Sequence, residues 1–208
     1  MAFLNVFVEY SATRYSGCGL YWNQQGEFIA EVKEGKGTKP VFGSKGIKEI
    51  QEYQNGVAEG KTKVFDEKGK LKKEYNLFEG LKHGECVEYY PTLSSEGDTF
   101  LQPMLSVYWQ KGKIQGLTRT WYPNGNLENQ REMACNKKNG VTMAWYRDGQ
   151  LMLLEEYEDN KLLKGDYVKK NDRKPVSQVV NGRGLATIFD AEGHFVEKIV
   201  YEYGRPDS

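Results

Sequence analysis

Cysteine and histidine are scarce in this 208-residue chain: three of the first (Cys18, Cys86, Cys135) and two of the second (His83, His194). Three scattered thiols build no disulfide framework and suit a reducing compartment. A metal centre needs three or four ligands, and the one close pair, His83-Gly-Glu-Cys86, has no second pair to complete it. Net charge is lacking as well, because 29 Lys+Arg balance 29 Asp+Glu. That excludes a protein held to nucleic acid mainly by charge. No apolar run approaches the roughly 18 residues of a transmembrane helix. The opening Met1-Ala-Phe-Leu-Asn-Val-Phe-Val-Glu-Tyr10 has no basic stretch ahead of its apolar residues, so no signal peptide is read there. A cytoplasmic location is the expectation. Hydrophobic residues make up only 38%, few for a compact globule. Helical periodicity is missing almost throughout, and frequent glycines would break it.

What the chain does have is a repeat. A glycine, an aromatic five residues on and a glycine nine residues on recur six times: Gly17/Trp22/Gly26, Gly37/Phe42/Gly46, Gly60/Phe65/Gly69, Gly116/Trp121/Gly125, Gly140/Trp145/Gly149 and Gly184/Phe189/Gly193. Composition alone gives roughly 0.3 such triplets, so the period is real. Two weaker copies begin at Gly84, with Tyr89, and at Gly165. Eight leading glycines result: Gly17, Gly37, Gly60, Gly84, Gly116, Gly140, Gly165 and Gly184. A hydrophobe stands eleven residues after most of them (Phe28, Leu71, Leu127, Leu151, Phe195), with Lys48 the exception.

Turn residues such as Asn124-Gly125 and Asp148-Gly149 separate short segments rich in Tyr, Trp, Val, Thr and Leu, so each unit reads as a β-hairpin. Second turns, Asn55-Gly56, Glu79-Gly80, Lys111-Gly112 and Asn136-Lys-Lys-Asn139, join one hairpin to the next. The predicted fold is all-β: an elongated single-layer antiparallel meander of about eight tandem hairpins in one domain over 1–208, with an insertion loop at 91–105. Alternation puts the recurring aromatics Trp22, Phe42, Phe65, Tyr89, Trp121, Trp145 and Phe189 on one face as a structural ladder. The segment Phe3–Tyr10 is an expected end strand.

Gly116-Leu-Thr-Arg-Thr-Trp-Tyr-Pro-Asn-Gly125-Asn-Leu resembles the body of the MORN variant repeat. Tyr75–Gly84 and Tyr157–Gly165 resemble the linkers between such repeats. The resemblance implies an elongated antiparallel sheet acting in protein association or scaffolding. It implies a bacterial protein, often labelled an antitoxin component. It also brings in membrane-lipid binding and homodimerisation as activities of related arrays. No SET-like motif is present, so methyltransferase activity is not carried over.

Enzyme chemistry finds little support. Glu155 and Glu156 are strand neighbours that point to opposite faces. Gly17-Cys-Gly19 and Gly35-Lys-Gly37 open no helix and lack the Lys-Ser/Thr of a phosphate loop. No catalytic, metal or cofactor residue is assigned. Two binding surfaces are expected. Phe100, Leu101, Met104 and Leu105 in the insertion are candidates for a protein partner. Lys161, Lys164, Lys169, Lys170, Arg173 and Lys174 form a candidate patch for anionic lipid or an acidic partner. The acidic run 74–98 is the opposite pole.

Overall fold

The computed structural model describes residues 18–23, 25–91 and 101–207. The N-terminal segment Phe3–Tyr10, Gly17 and Phe100 lie outside them. In chain order the strands are β1 (Gly19–Trp22), β2 (Phe28–Lys33), β3 (Lys36–Gly43), β4 (Gly46–Gln54), β5 (Val57–Phe65), β6 (Leu71–Phe78), β7 (Leu81–Lys82), β8 (Gly84–Tyr89) and β9 (Pro103–Gln110). They continue as β10 (Lys113–Trp121), β11 (Leu127–Ala134), β12 (Lys137–Trp145), β13 (Leu151–Glu158), β14 (Lys161–Val168), β15 (Pro175–Val180), β16 (Arg183–Phe189), β17 (Phe195–Glu202) and β18 (Arg205–Pro206). All eighteen belong to one antiparallel sheet in which each strand pairs with its neighbours in sequence. β7 and β8 both pair with β6 and are one strand interrupted at His83.

A single irregularity repeats eight times and counts the units. Register shifts fall between Tyr21/Trp22, Val41/Phe42, Val64/Phe65, Glu88/Tyr89, Thr120/Trp121, Ala144/Trp145, Tyr167/Val168 and Ile188/Phe189. One residue on the returning strand is left over at each, as Met152 is between Leu151 and Leu153. Such bulges bend the strand and increase its twist. Beyond each bulge the aromatic meets the hydrophobe of the returning strand: Trp121 opposite Leu127, Trp145 opposite Leu151, Phe65 opposite Leu71. The expected misfit at Lys48 disappears, because the β3–β4 tip is only Ser44-Lys45 and Ile47 takes the place opposite Phe42.

The seventh unit differs from its sequence reading. Its bulge residue is Val168, and Gly165 stands opposite Glu155, the place that Thr142 holds one unit earlier. Gly165 is therefore not a leading glycine. It is small because the Tyr167 ring folds back over it: a Cβ would lie 2.7 Å from the Tyr167 hydroxyl. The turn before Gly140 is also shorter than expected. Ala134 pairs with Lys137, so the corner is Cys135-Asn136 rather than 136–139. This corner and its counterparts, Glu34-Gly35, Asn55-Gly56, Glu79-Gly80, Lys111-Gly112, Asp159-Asn160, Asn181-Gly182 and Tyr203-Gly204, have positive φ at both central residues. That is the type I′ form, whose twist matches the flanking strands.

The sheet curls toward one face at both ends. Only two residue pairs join β2 to β3 and two join β15 to β16. At these bends Gly37 (φ 138°) and Gly184 (φ 142°) let backbones meet, since a Cβ would strike the carbonyl oxygens of Glu31 and Gln178. The curl gathers Tyr157, Leu162, Tyr167, Val179 and Ala186, with Ile199 and Tyr201, into the largest apolar cluster. Tyr21, Ala30 and Val32, with Tyr53, form its counterpart at the other end.

Candidate binding surfaces

The two faces of the sheet are built differently. On the concave face a transverse row runs Cys86, Val107, Thr118, Arg131, Thr142, Glu155, Gly165, Val179, each opposite the next. In this row Cys86, Val107, Thr142, Glu155 and Val179 are buried. Glu155 accepts hydrogen bonds from the hydroxyls of Tyr157 (3.1 Å) and Tyr167 (2.8 Å). Burial, reinforced by the Glu155 charge, holds both phenols far above their ordinary range. Lys138 lies over the Tyr157 ring, and burial lowers its ammonium.

The residue after the bulge aromatic supplies ties that the sequence reading missed. Tyr90, Tyr122 and Tyr146 donate their hydroxyls to the backbone carbonyls of Trp121 (2.6 Å), Trp145 (2.7 Å) and Val168 (2.7 Å), each in the next unit. Tyr122 and Tyr146 are buried, and that burial pushes their hydroxyls up to about 12. The signal was present in sequence as a tyrosine at one fixed offset in three successive units. At the opposite margin the corner asparagines do the same work. The Asn136 amide donates to Ile114 O (3.0 Å) while its side-chain oxygen accepts from Ile114 N (2.7 Å). Asn160 repeats the pair with Lys138, at 2.9 and 2.7 Å.

The other face carries the expected aromatic ladder. Trp22, Phe42, Phe65, Tyr89, Trp121 and Trp145 are half-buried, whereas Phe189 departs from the expected ladder and is buried in a cluster with Tyr146 and Met152. Around the two central tryptophans lie Leu117, Leu127, Val141, Met143 and Leu151, all half-buried, with Leu154 exposed. Phe28 and Phe195, partners of Trp22 and Phe189, are 58% and 59% exposed. Among the described residues there is no helix, and every strand lies in the one sheet, so no second layer packs on this face. None of them forms a helix long and apolar enough to cross a membrane.

The two linear candidate surfaces are rearranged by the strands. Leu101 precedes β9, whereas Met104 and Leu105 are inside it, Leu105 opposite Glu88 and Thr120. Strand β9 thus begins at Pro103, inside the expected loop, with Met104 and Leu105 half-buried in it. The basic run divides at β14. Lys161 stands at one margin of the sheet and Lys164 in mid-strand, paired to Glu156. Lys169, Lys170, Arg173 and Lys174 belong to the tip at the other margin, roughly 23 Å from Lys161 along an eight-residue strand. There Lys170 pairs with Asp148 and lies over the Tyr146 ring. The acidic run dissolves likewise, because Glu74, Glu79, Glu85 and Glu88 meet Lys61, Lys111, Ser106 and Lys73. His83 packs against Phe78, and burial raises the Cys86 thiol. Neither gathers further ligating residues, and no group of three His, Cys, Asp or Glu able to hold a metal occurs among the described residues.

Two stretches, residues 58–77 and 114–133, match the family described as MORN repeat variant. They cover the β5–β6 and β10–β11 hairpins. No curated protein matches the chain.

Proposed function

We propose that this chain, which carries MORN repeat variants at 58–77 and 114–133, is a non-enzymatic module that binds another protein on its uncovered aromatic face. The observation behind this reading is the patch around Trp121 and Trp145, where half-buried Leu117, Leu127, Val141, Met143 and Leu151 adjoin exposed Leu154. Aromatic residues and Met are enriched at protein interfaces, and large uncovered apolar patches mark them. Sheet rigidity holds these side chains in place before binding, which lowers the entropy cost of association. Scaffolding, or an antitoxin-type pairing in the reducing cytoplasm, is the form of association proposed.

The test is affinity capture with quantitative mass spectrometry, using the native chain beside Trp145→Arg and Leu154→Arg. A partner retained by the native chain and lost from both variants, at melting temperatures within a few degrees, supports the reading. Equal recovery from all three defeats it. Growth inhibition relieved on co-expression with a neighbouring gene product would specify the antitoxin form.

A second reading is supported by the β14–β15 tip. Lys169, Arg173 and Lys174 are exposed there beside exposed Val176, a combination suited to an anionic lipid surface. Flotation with phosphatidylserine vesicles that fails when these three charges are reversed would favour it.

A further inference from the structure

The tyrosine ties between units follow one geometry in units four to six, and the other units fill the same position differently. In units four, five and six the residue after the bulge aromatic is Tyr90, Tyr122 or Tyr146. Its hydroxyl reaches the carbonyl of the next unit's bulge residue. The first, third and eighth units place Asn23, Asp66 and Asp190 there, whose side-chain oxygens cap their own tips. In the second unit the same position is Gly43, and the next unit's bulge residue is Phe65.

Between these two residues lies a cleft of about 430 Å³, lined by Gly43, Ser44, Ile47, Val64, Phe65 and Lys72 among others. That size lies in the range of small-ligand sites. A Cβ added to Gly43 would meet only the Lys48 side chain, at 3.4 Å, and the Gly46 carbonyl oxygen, at 3.9 Å. A side chain at Gly43 would therefore sit in ordinary contact with the Lys48 side chain. Ile47, Val64 and Phe65 share the lining of the cleft with Lys45, Lys48, Asp66, Glu67 and Lys72, and the carbonyl of Phe65 holds the sequence place of Trp121 O, Trp145 O and Val168 O, which accept phenol protons elsewhere in the chain. At the mouth Lys45 of one tip pairs with Glu67 of the next, both well exposed.

The geometry points to a slot that receives a tyrosine side chain of a partner protein, the ring packed on Val64 and the aliphatic stems of Lys48 and Lys72 and the hydroxyl donating to Phe65 O. The ligand is a polypeptide tyrosine because the same chain fills the equivalent places with tyrosines of its own. The polar rim of Lys45, Glu67 and Ser44 suits a peptide backbone around a buried ring. This site is at the sheet margin and stands apart from the aromatic-face reading, so either can fail without the other.

The test is titration of the full chain, followed by amide chemical shifts, with N-acetyltyrosinamide, N-acetylphenylalaninamide and p-cresol. The expected result is saturable shifts confined to 43–48 and 64–72, with the phenylalanine compound several-fold weaker because it lacks the hydroxyl. Gly43→Tyr, which fills the slot from within, should abolish these shifts and raise the melting temperature. No saturating shift, equal affinity for the two blocked amino acids, or binding unchanged in Gly43→Tyr would overturn the proposal. Tighter binding of p-cresol than of N-acetyltyrosinamide would overturn its polypeptide part. The ligand comparison is made on the unaltered chain, so it decides even where the variant does not fold.

Discussion

The hydroxyl of Tyr122 donates to the carbonyl of Trp145, 2.7 Å away in the following unit. It joins two hairpins at a margin where sequence-adjacent tips would otherwise touch only through exposed side chains. Tyr146 repeats the tie to Val168 and is fully buried. Removing the Tyr146 hydroxyl by Tyr146→Phe is expected to cost about 1–2 kcal/mol, because the Val168 carbonyl loses its partner in a buried place. Truncation to alanine is expected to cost about 3–5 kcal/mol. Thermal melts of the three proteins check the order; indistinguishable curves for Tyr146 and Phe would contradict the tie.

The same tyrosines set an alkaline limit. Burial moves Tyr122 and Tyr146 from 10.0 to about 12, so the folded state keeps the phenol proton that the unfolded chain releases. Their contribution is whole below pH 10 and is lost as pH climbs toward 12. Melting temperature measured between pH 8 and 12 should decline in that window, and Tyr146→Phe should decline less steeply. A steeper fall in the variant would reverse the assignment.

Glu155 and Glu156 are adjacent yet should respond to neutralisation to very different extents. Glu155 is buried between two phenols, whereas Glu156 is an exposed partner of Lys164. Glu155→Gln is expected to destabilise by about 1–3 kcal/mol, since its amide nitrogen would face a hydroxyl that now donates. Glu156→Gln should stay within about 0.5 kcal/mol. Denaturant melts on the pair read this directly, and equal effects would contradict the separation of faces.

Asn136 combines a left-handed backbone (φ 70°) with a side-chain bond to Ile114 N. Glycine keeps the conformation and loses the bond; alanine loses both. Stability should therefore fall in the order Asn, Gly, Ala, with alanine about 2 kcal/mol below the native residue. An alanine variant as stable as the glycine one would remove the conformational half of this explanation.

The hairpin count was legible because turn chemistry is local: glycine and asparagine at fixed spacing specify corners without reference to anything distant. Face assignment was partly legible. Alternation put Val141, Met143 and Trp145 together, but the deepest residues are Thr142, Ala144 and Tyr146 on the other face, which the curl of the sheet encloses. Curl arises from bulges and from the two-pair junctions at β2–β3 and β15–β16, and no single-strand pattern announces these. Gly165 misled because a glycine under a folded-back tyrosine looks, in sequence, like a glycine at a corner. The basic run misled for a geometric reason: neighbours along a chain part company when a strand carries them to opposite margins.

The most direct measurement is a map of cross-strand proton contacts along the transverse row. Contacts are expected in unbroken succession between Cys86 and Val107, Val107 and Thr118, Thr118 and Arg131, Arg131 and Thr142, Thr142 and Glu155, and Glu155 and Gly165. A gap in that series, or backbone contacts that place β10 beside a strand other than β9 and β11, would contradict the single meandering sheet.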